Sequence, residues 1–378
     1  MVFYFFTIFV LIMLKKITCV LFVLFCKVGF AQTDTTHTEI DTVKNTHTVQ
    51  FSGFIDAYYS YDFSQPPNHE VSAPFIYNYK RNNEFNINLA LLYATYSGDK
   101  IRSKIGLMAG TYAQYNYASE QGLLKNIYEA NAGIKLRKNL WLDAGIFASH
   151  IGNESAFSIT NPTLTRSIMA ENTPYYQTGA KLTYDAGKKW LFSVLLLNGW
   201  QNIQETPDNN NKPVCTQILY RPNKNTEFNY STFIGNEKPD SAKQWRYFNH
   251  LYFTSHFSKK IYLSAAFDYG IQQKYKDKMH YDKWFGTSLI LRYKFTRKFS
   301  SSLRGEYYND PNQVIVTTNT LPGTRVFGTS LNFDFSPYQG SLIRLEGKMY
   351  NAQDKIFVTP TGFDNQTFIL TVDFVISF

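Results

Sequence analysis

From Val49 to Phe378, bulky apolar residues recur at every second position in segment after segment. That period sets them on one face of an extended strand and the intervening residues on the other. In "FSGFIDAYYSY", Phe51, Gly53, Ile55, Ala57 and Tyr59 share a face, and Ser52, Asp56, Tyr58 and Ser60 share the opposite one. "EFNINLALLYATY" sets Phe85, Ile87, Leu89, Leu91 and Tyr93 against Glu84, Asn86 and Asn88. "IRSKIGLMAGTYAQYNY" sets Ile101, Ile105 and Leu107 against Arg102, Lys104, Gln114 and Asn116. "SLIRLEGKMY" opposes Ile343, Leu345 and Met349 to Arg344, Glu346 and Lys348. The final segment, "NQTFILTVDFVISF", keeps Phe368, Leu370, Val372, Phe374, Ile376 and Phe378 in phase. From Val49 on, no stretch has the period of a long amphipathic helix or the apolar length of a membrane-spanning one.

The connections sharpen this reading. Short ones fall at 98–100, 138–139, 186–188, 222–225, 258–259, 296–298 and 337–340. Longer polar ones join Phe63 to Asn83 and Ile151 to Pro174, and others span about 204–212, 237–243, 275–281, 310–323 and 352–364. Long and short connections alternate, and counting the strand-like segments gives about 16 antiparallel strands. The strands are longer than the usual globular length of about 5–6 residues and cover the roughly 9–11 residues a tilted strand needs to cross the hydrocarbon layer. An open sheet in lipid would leave backbone groups unpaired, so such a sheet must close on itself. The expectation is an all-β, up-and-down transmembrane barrel over 49–378, with short periplasmic turns and long extracellular loops.

The N-terminus follows other rules. "MLKKITCVLFVLFCKVGFAQ" begins at Met13 with Lys15 and Lys16, runs through an apolar stretch, and has Gly29 and Ala31 three residues and one residue before a cut ahead of Gln32. Residues 1–31 therefore read as a secretory signal peptide; either its true start is Met13 or its n-region is unusual. The competing reading, a helical anchor built from both apolar stretches, would hold Lys15 and Lys16 in mid-membrane at a cost of several kcal/mol. Phe25 stands before Cys26 where a lipidation signal needs a small residue. Residues 32–48 are Thr-rich and read as a flexible periplasmic leader, with His37 and His47 as solvated side chains.

With the three lysines of 1–31 set aside, 35 basic and 29 acidic residues remain, a net charge of +6. The bases are scattered along the strand-like segments, which points away from nucleic acid as a partner. Cys215 is alone beyond the signal, so it can form no intrachain disulfide, and no cofactor or metal is implied. The 32 Phe, 28 Tyr and 5 Trp suit a wide boundary between apolar and aqueous phases.

Several longer stretches give the chain a family likeness. They are "FSGFIDAYYSYDF", "NEFNINLALLYATYSGDKIRSKIGLMAGTYA", "LWLDAGIFASHIGNESAFSITNPTLTRSIMAENTPYYQTGAKLTY", "NGWQNI" and "YRPNKNTEFNYSTFIGNE". Together they make Val49–Phe378 resemble the OmpL-like β-barrel porins, a family of Bacteroidota outer membranes. The resemblance implies a channel-like barrel in the bacterial outer membrane with no catalytic residues to carry over. It also implies that Phe378, on the lipid face of the last strand, serves as the tag read by the barrel-assembly machinery. The extended stretch before Met13 departs from the family pattern, and the Thr-rich leader carries no recognisable binding module.

A barrel of this strand number leaves an aqueous lumen unless loops or a plug fill it. Alternation assigns Asp56, Arg102, Lys104, Glu129, Lys135, Asp143, Arg304, Glu306, Arg344, Glu346 and Lys348 to the inside, because Arg or Lys facing lipid near the midplane costs about 2–4 kcal/mol. The bland alternative is that these charges satisfy one another and keep the lumen wet. The loop 151–174 carries Glu154, Arg166 and Glu171, a set able to narrow the channel with a transverse field or, alternatively, to pack on the rim. Two segments fit the pattern poorly. "WLFSVLLLNGW" is apolar on both faces at Leu195–Leu197, as a strand facing a plug or folded-in loop would be. "RYFNHLYFTSHF" turns His250 and His256 inward but leaves Asn249 on the apolar face.

Three function classes follow. The first is a porin passing small hydrophilic solutes or ions, with membrane lipid around it and a homo-oligomer as its possible assembly. The second is an adhesin or scaffold with a plugged lumen. The third is a barrel hydrolase, which the residues disfavour: Ser149 and His150 are adjacent and on a strand point apart, and His250 and His256 lie about 20 Å apart on one strand.

Overall fold

A computed structural model of the chain describes residues 47–318, 320–321 and 323–378. The reading of 1–31 as a signal and the leader up to residue 46 lie outside the described residues. His47 is exposed, and its Nδ1 lies 2.6 Å from the Tyr96 hydroxyl.

The strands in chain order are β1 (Thr48–Asp62), β2 (Phe85–Ser97), β3 (Ile101–Ala109), β4 (Ile127–Arg137), β5 (Leu140–Ala148) and β6 (Tyr176–Asp185). They continue as β7 (Trp190–Leu197), β8 (Val214–Asn223), β9 (Thr226–Asn236), β10 (Trp245–His256), β11 (Ile261–Gln273) and β12 (Tyr281–Lys294). The last are β13 (Phe299–Asp310), β14 (Thr324–Phe335), β15 (Ser341–Ala352), the small hairpin β16 (Phe357–Thr359) and β17 (Gly362–Asp364), and β18 (Gln366–Ser377). All but the hairpin form one closed antiparallel barrel of 16 strands, in which β1 pairs with both β2 and β18.

Closure satisfies the edge groups that lipid cannot. At the seam Gly53 N–H donates to Phe378 O at 2.7 Å, and Phe378 N–H donates to Gly53 O at 3.0 Å. The Phe378 ring lies directly over Gly53, where any Cβ would collide with it. Leu92, Leu107, Leu251, Leu289, Leu303 and Phe327 all point outward and are exposed, as a lipid-facing belt requires. Near the short turns, aromatic side chains gather on this face: Trp190 stacks on Tyr220 at 4.1 Å, and Phe299 stacks on Phe333 at 6.2 Å. Rings at that depth suit the membrane–water interface.

Two departures from strict alternation matter. On β2, Ala57 pairs with Ile87 but Asp56 pairs with Leu89, so Asn88 is an extra residue in a bulge. A bulge of one residue exchanges the two faces beyond it. Phe85 and Ile87 point to lipid as alternation predicts, but Leu89, Leu91 and Tyr93 turn into the barrel, and Leu92 takes the lipid face. The second departure ends β3 at Ala109. Gly110 has φ +115°, and a Cβ there would meet the Asn88 carbonyl oxygen at 2.5 Å; only glycine takes this turn without strain. Thr111–Asn116 then forms a short helix. Gln114 and Asn116 therefore belong to a long loop, 110–126, that the alternation of "GTYAQYNY" had disguised as strand.

Candidate functional site

Two long loops fold into the lumen. Residues 151–174 cross it, and 63–84 descend beside them. Clamps from the barrel wall hold the crossing loop, 151–174. Arg304 on β13 donates from Nη1 to Thr165 O at 2.6 Å and from Nη2 to Glu346 on β15 at 3.1 Å. Glu346 Oε2 in turn accepts from Thr165 N at 2.7 Å and from its hydroxyl at 2.8 Å. Glu306 accepts from Ile168 N at 2.6 Å. Arg344 donates to Ser158 O at 2.5 Å and is held by Asp334 at 2.7 Å. Buried charges are tolerable only when their hydrogen-bonding capacity is met, and these side chains divide theirs between the loop, backbone and hydroxyls alike, and one another. Burial pushes the Glu154 carboxyl up from its ordinary value, and it accepts from the Ser167 amide at 2.9 Å and hydroxyl at 2.5 Å.

The two loops are tied to each other by Glu171. Its carboxylate accepts from Tyr77 N at 2.9 Å, Asn78 N at 3.1 Å and Asn78 Nδ2 at 2.8 Å. Asp56 on β1 accepts from the Tyr79 hydroxyl at 2.8 Å and so anchors the first loop. Apolar side chains fill the remaining space on one side. Phe75 and Ile76 of the first loop and Ile168 and Met169 of the second share one buried cluster with Leu195 and Leu197 of β7. This explains the doubly apolar "WLFSVLLLNGW": Leu195 and Leu197 meet folded-in loops while Leu196 meets lipid.

Open space remains in the lumen among the loops beside Arg246 of β10, and lower down along β2–β6. Three chambers follow one another there. The outermost, 350 Å³, is lined by Tyr115, Glu171, Tyr175, Trp200, Gln201 and Arg246 among others. The middle one, 260 Å³, is lined by Tyr112, Tyr128, Ser149, Glu154, Arg166 and Tyr175 among others. The innermost, 340 Å³, lies near the short-turn end with Arg102, Lys104, Glu129, Asp143, Ala148 and Lys181 on its walls. Thr173 and Tyr175 belong to both upper chambers, and Ala148 to both lower ones. At the upper junction the Arg166 guanidinium carbon lies 3.8 Å from the Tyr175 ring centre and its Nε lies 3.6 Å from Glu171. The Tyr175 hydroxyl donates to Glu171 O. Burial pushes the Tyr112 phenol up to about 12, so it is neutral at ordinary pH. In the lowest chamber Arg102 binds Asp143 through two bonds of 2.7 and 2.5 Å, and Lys104 pairs with Glu129 at 3.2 Å.

Residues 48–378 match the model of the family described as "Putative beta-barrel porin-2, OmpL-like". The chain belongs to this porin family. Its place is the bacterial outer membrane, and its family is one of channels for passive solute passage. The barrel is similar in fold to the outer membrane channel DcaP of Acinetobacter baumannii, with TM-score 0.58 at 11% identity over 87% of this chain and 97% of that one. It is also similar to the anion-selective porin from Comamonas acidovorans, with TM-score 0.59 at 9% identity over 88% and 100%. OmpT of Vibrio cholerae, in its trimer form, gives TM-score 0.57 at 8% identity over 88% and 99%. No curated protein matches the chain.

In this porin the inward assignments divide into two groups. Arg102, Lys104, Glu129, Asp143, Glu154, Arg166 and Glu171 stand on chamber walls. Asp56, Arg304, Glu306, Arg344 and Glu346 also face inward, but they bind the two loops and are fully or almost fully buried. Lys348 is buried beside them, and Lys135 sits exposed at the short-turn end, 5.4 Å over the Trp141 ring. Ser149 and His150 lie in the loop after β5 rather than on a strand, and His150 donates from Nε2 to Thr232 O at 2.9 Å. His250 is buried against Asp268 at 2.5 Å, whereas His256 is exposed at the short-turn end. Asn249, though on the outer face, accepts from the Tyr230 hydroxyl at 2.6 Å, which satisfies it there. Sequence reasoning missed Lys181, Tyr175 and Arg246. The polar phase of "YQTGAKLTY" was a signal for Lys181, since Gln177, Gly179 and Lys181 alternate with apolar or threonine positions.

Proposed function

We propose that small hydrophilic solutes cross the outer membrane through the three chambers, with the junction at Arg166 and Tyr175 as the narrowest step. The observation that carries this reading is the run of shared wall residues from the long-loop end to the short-turn end, beside a lumen otherwise filled by loops. Arg102, Lys104, Glu129, Asp143, Glu154, Arg166 and Glu171 are the passage residues. Asp56, Arg304, Glu306, Arg344 and Glu346 act through the loops they hold. The test is bilayer conductance of the refolded chain, with Arg166→Ala beside it. Discrete channels altered by Arg166→Ala are expected. No current over a wide voltage range overturns the reading.

The filled half of the lumen favours a second reading, a plugged barrel serving as scaffold or adhesin, and the same recording decides between them. The wider setting is proposed with the channel: export directed by a signal at 1–31 and a leader at 32–48, source bacteria of the Bacteroidota, and insertion through Phe378 as the tag for the assembly machinery. Lipid around the apolar belt and a homo-oligomeric assembly complete it, the latter supported by the trimer form of the Vibrio cholerae OmpT structure. Catalysis plays no part in this reading.

A further inference from the structure

Charge along the passage is unevenly spent. Each acid on the chamber walls has its partners. Glu171 holds Tyr77, Asn78 and Arg166, Glu154 holds Ser167, Asp143 holds Arg102, and Glu129 holds Lys104. The cations are not all matched. In the outer chamber Arg246 donates to Gln272 at 2.9 and 2.6 Å and has no carboxylate within 4.0 Å among the described residues. In the innermost chamber Lys181 Nζ stands 4.6 Å over the Phe147 ring, again without an ion-pair partner among the described residues. Between them Arg166 is 5% exposed, lines the middle chamber, and leaves its Nη2 without any hydrogen-bond partner.

A buried guanidinium nitrogen left unpaired is costly unless a ligand completes it. Its fork geometry suits a carboxylate. Tyr112, Tyr128 and Tyr175 give the same chamber ring surface, and Ser149, Asn153 and Ser155 give it polar groups. At 260 Å³ it lies just below the roughly 300–1,000 Å³ of sites for drug-sized ligands, so its occupant is small.

We propose that the middle chamber binds the carboxylate of a small organic anion on the Arg166 guanidinium, with a planar apolar body against the tyrosines. Arg246 and Lys181 would be the cationic steps before and after it. This deepens the channel reading and rests on it only for passage, since binding is measurable without current.

The test uses the full folded chain in detergent, with benzoate as probe, benzyl alcohol as its neutral counterpart and inorganic phosphate as a competitor, read by intrinsic fluorescence. Saturable benzoate binding is expected, with benzyl alcohol at least about tenfold weaker, the range expected for losing one charge-assisted hydrogen bond. Arg166→Gln should lose the same factor, and Arg166→Lys, which keeps the charge, should retain part of it. Equal binding of benzyl alcohol overturns the proposal. Phosphate binding as tight as benzoate overturns the apolar half of the site. In bilayers under a KCl gradient, the reversal potential should show chloride preferred over potassium, and Lys181→Gln should shift it toward zero. Current with potassium preferred and no block by benzoate overturns the site while leaving the channel intact. Benzoate binding without any current supports the site and overturns the channel.

Discussion

Arg304 and Glu346, both with no exposed side-chain surface, meet at 3.1 Å across the inner wall with Thr165 of the crossing loop held by both. The pair is part of a three-way bond between two strands and a loop more than 130 residues away in sequence from either strand. Arg304 also approaches Glu306 at 3.3 Å, so this guanidinium stands between two carboxylates.

Removing one member leaves the others unmatched in a buried place. Glu346→Ala is expected to destabilise the loop anchorage by about 3–5 kcal/mol, the range for breaking a buried ion pair from one side. Limited proteolysis of the folded barrel should then cut within 156–170, and single-channel currents should grow noisier. Intact protease resistance would show that the loop is held by its apolar contacts instead.

The bulge at Asn88 gives neighbouring residues opposite surroundings. Leu91 is 3% exposed and Leu92 is 65% exposed. Leu92→Arg should lower barrel stability by about 2–4 kcal/mol if it lies near the midplane, measured by denaturant unfolding in phospholipid vesicles. A strand without the bulge would put the penalty on Leu91 instead.

Tyr175 closes the junction between the two upper chambers and carries the Arg166 stack. Tyr175→Ala is expected to raise conductance and to free Arg166, with a loss of roughly 2 kcal/mol for a desolvated cation–π contact. Paired bilayer recordings of the two proteins check the first, and thermal unfolding checks the second.

Glu154 supplies a pH dependence. Burial raises its folded value above the ordinary 4.5, so the folded chain binds its proton more readily than the unfolded one. Its contribution to stability is therefore complete below about 4.5 and is lost as pH rises through the raised folded value. Neutralising it in acid also removes a negative charge from the chamber of Arg166. Chloride preference should increase as pH falls through that window, and Glu154→Gln should flatten the change in reversal potential.

Much of the barrel follows from residue order because period two is a local property. Strand number, strand length and the inward side of β1, β3 and β15 can all be read from alternation. Asn88 shows the limit: a bulge adds one residue without breaking polarity enough to mark it, and every face beyond it is exchanged. Gly110 shows another, since a helix of six residues can continue a strand-like alternation. What the charged residues of the strands touch depends on loops far away in sequence. Arg304 reaching Thr165 and Arg344 reaching Ser158 leave no periodic trace. Arg166 was suspected because it stands between acids in a loop, whereas Lys181 escaped notice within an ordinary strand.

The ring of Phe378 resting on Gly53 means that the first and last strands are matched by shape as well as by backbone pairing. A side chain at position 53 would have to displace that ring before the cylinder could be zipped shut. The smallest residue in β1 thus sits on the closing seam, and enlarging it should push the terminal ring aside and loosen the last backbone pair there.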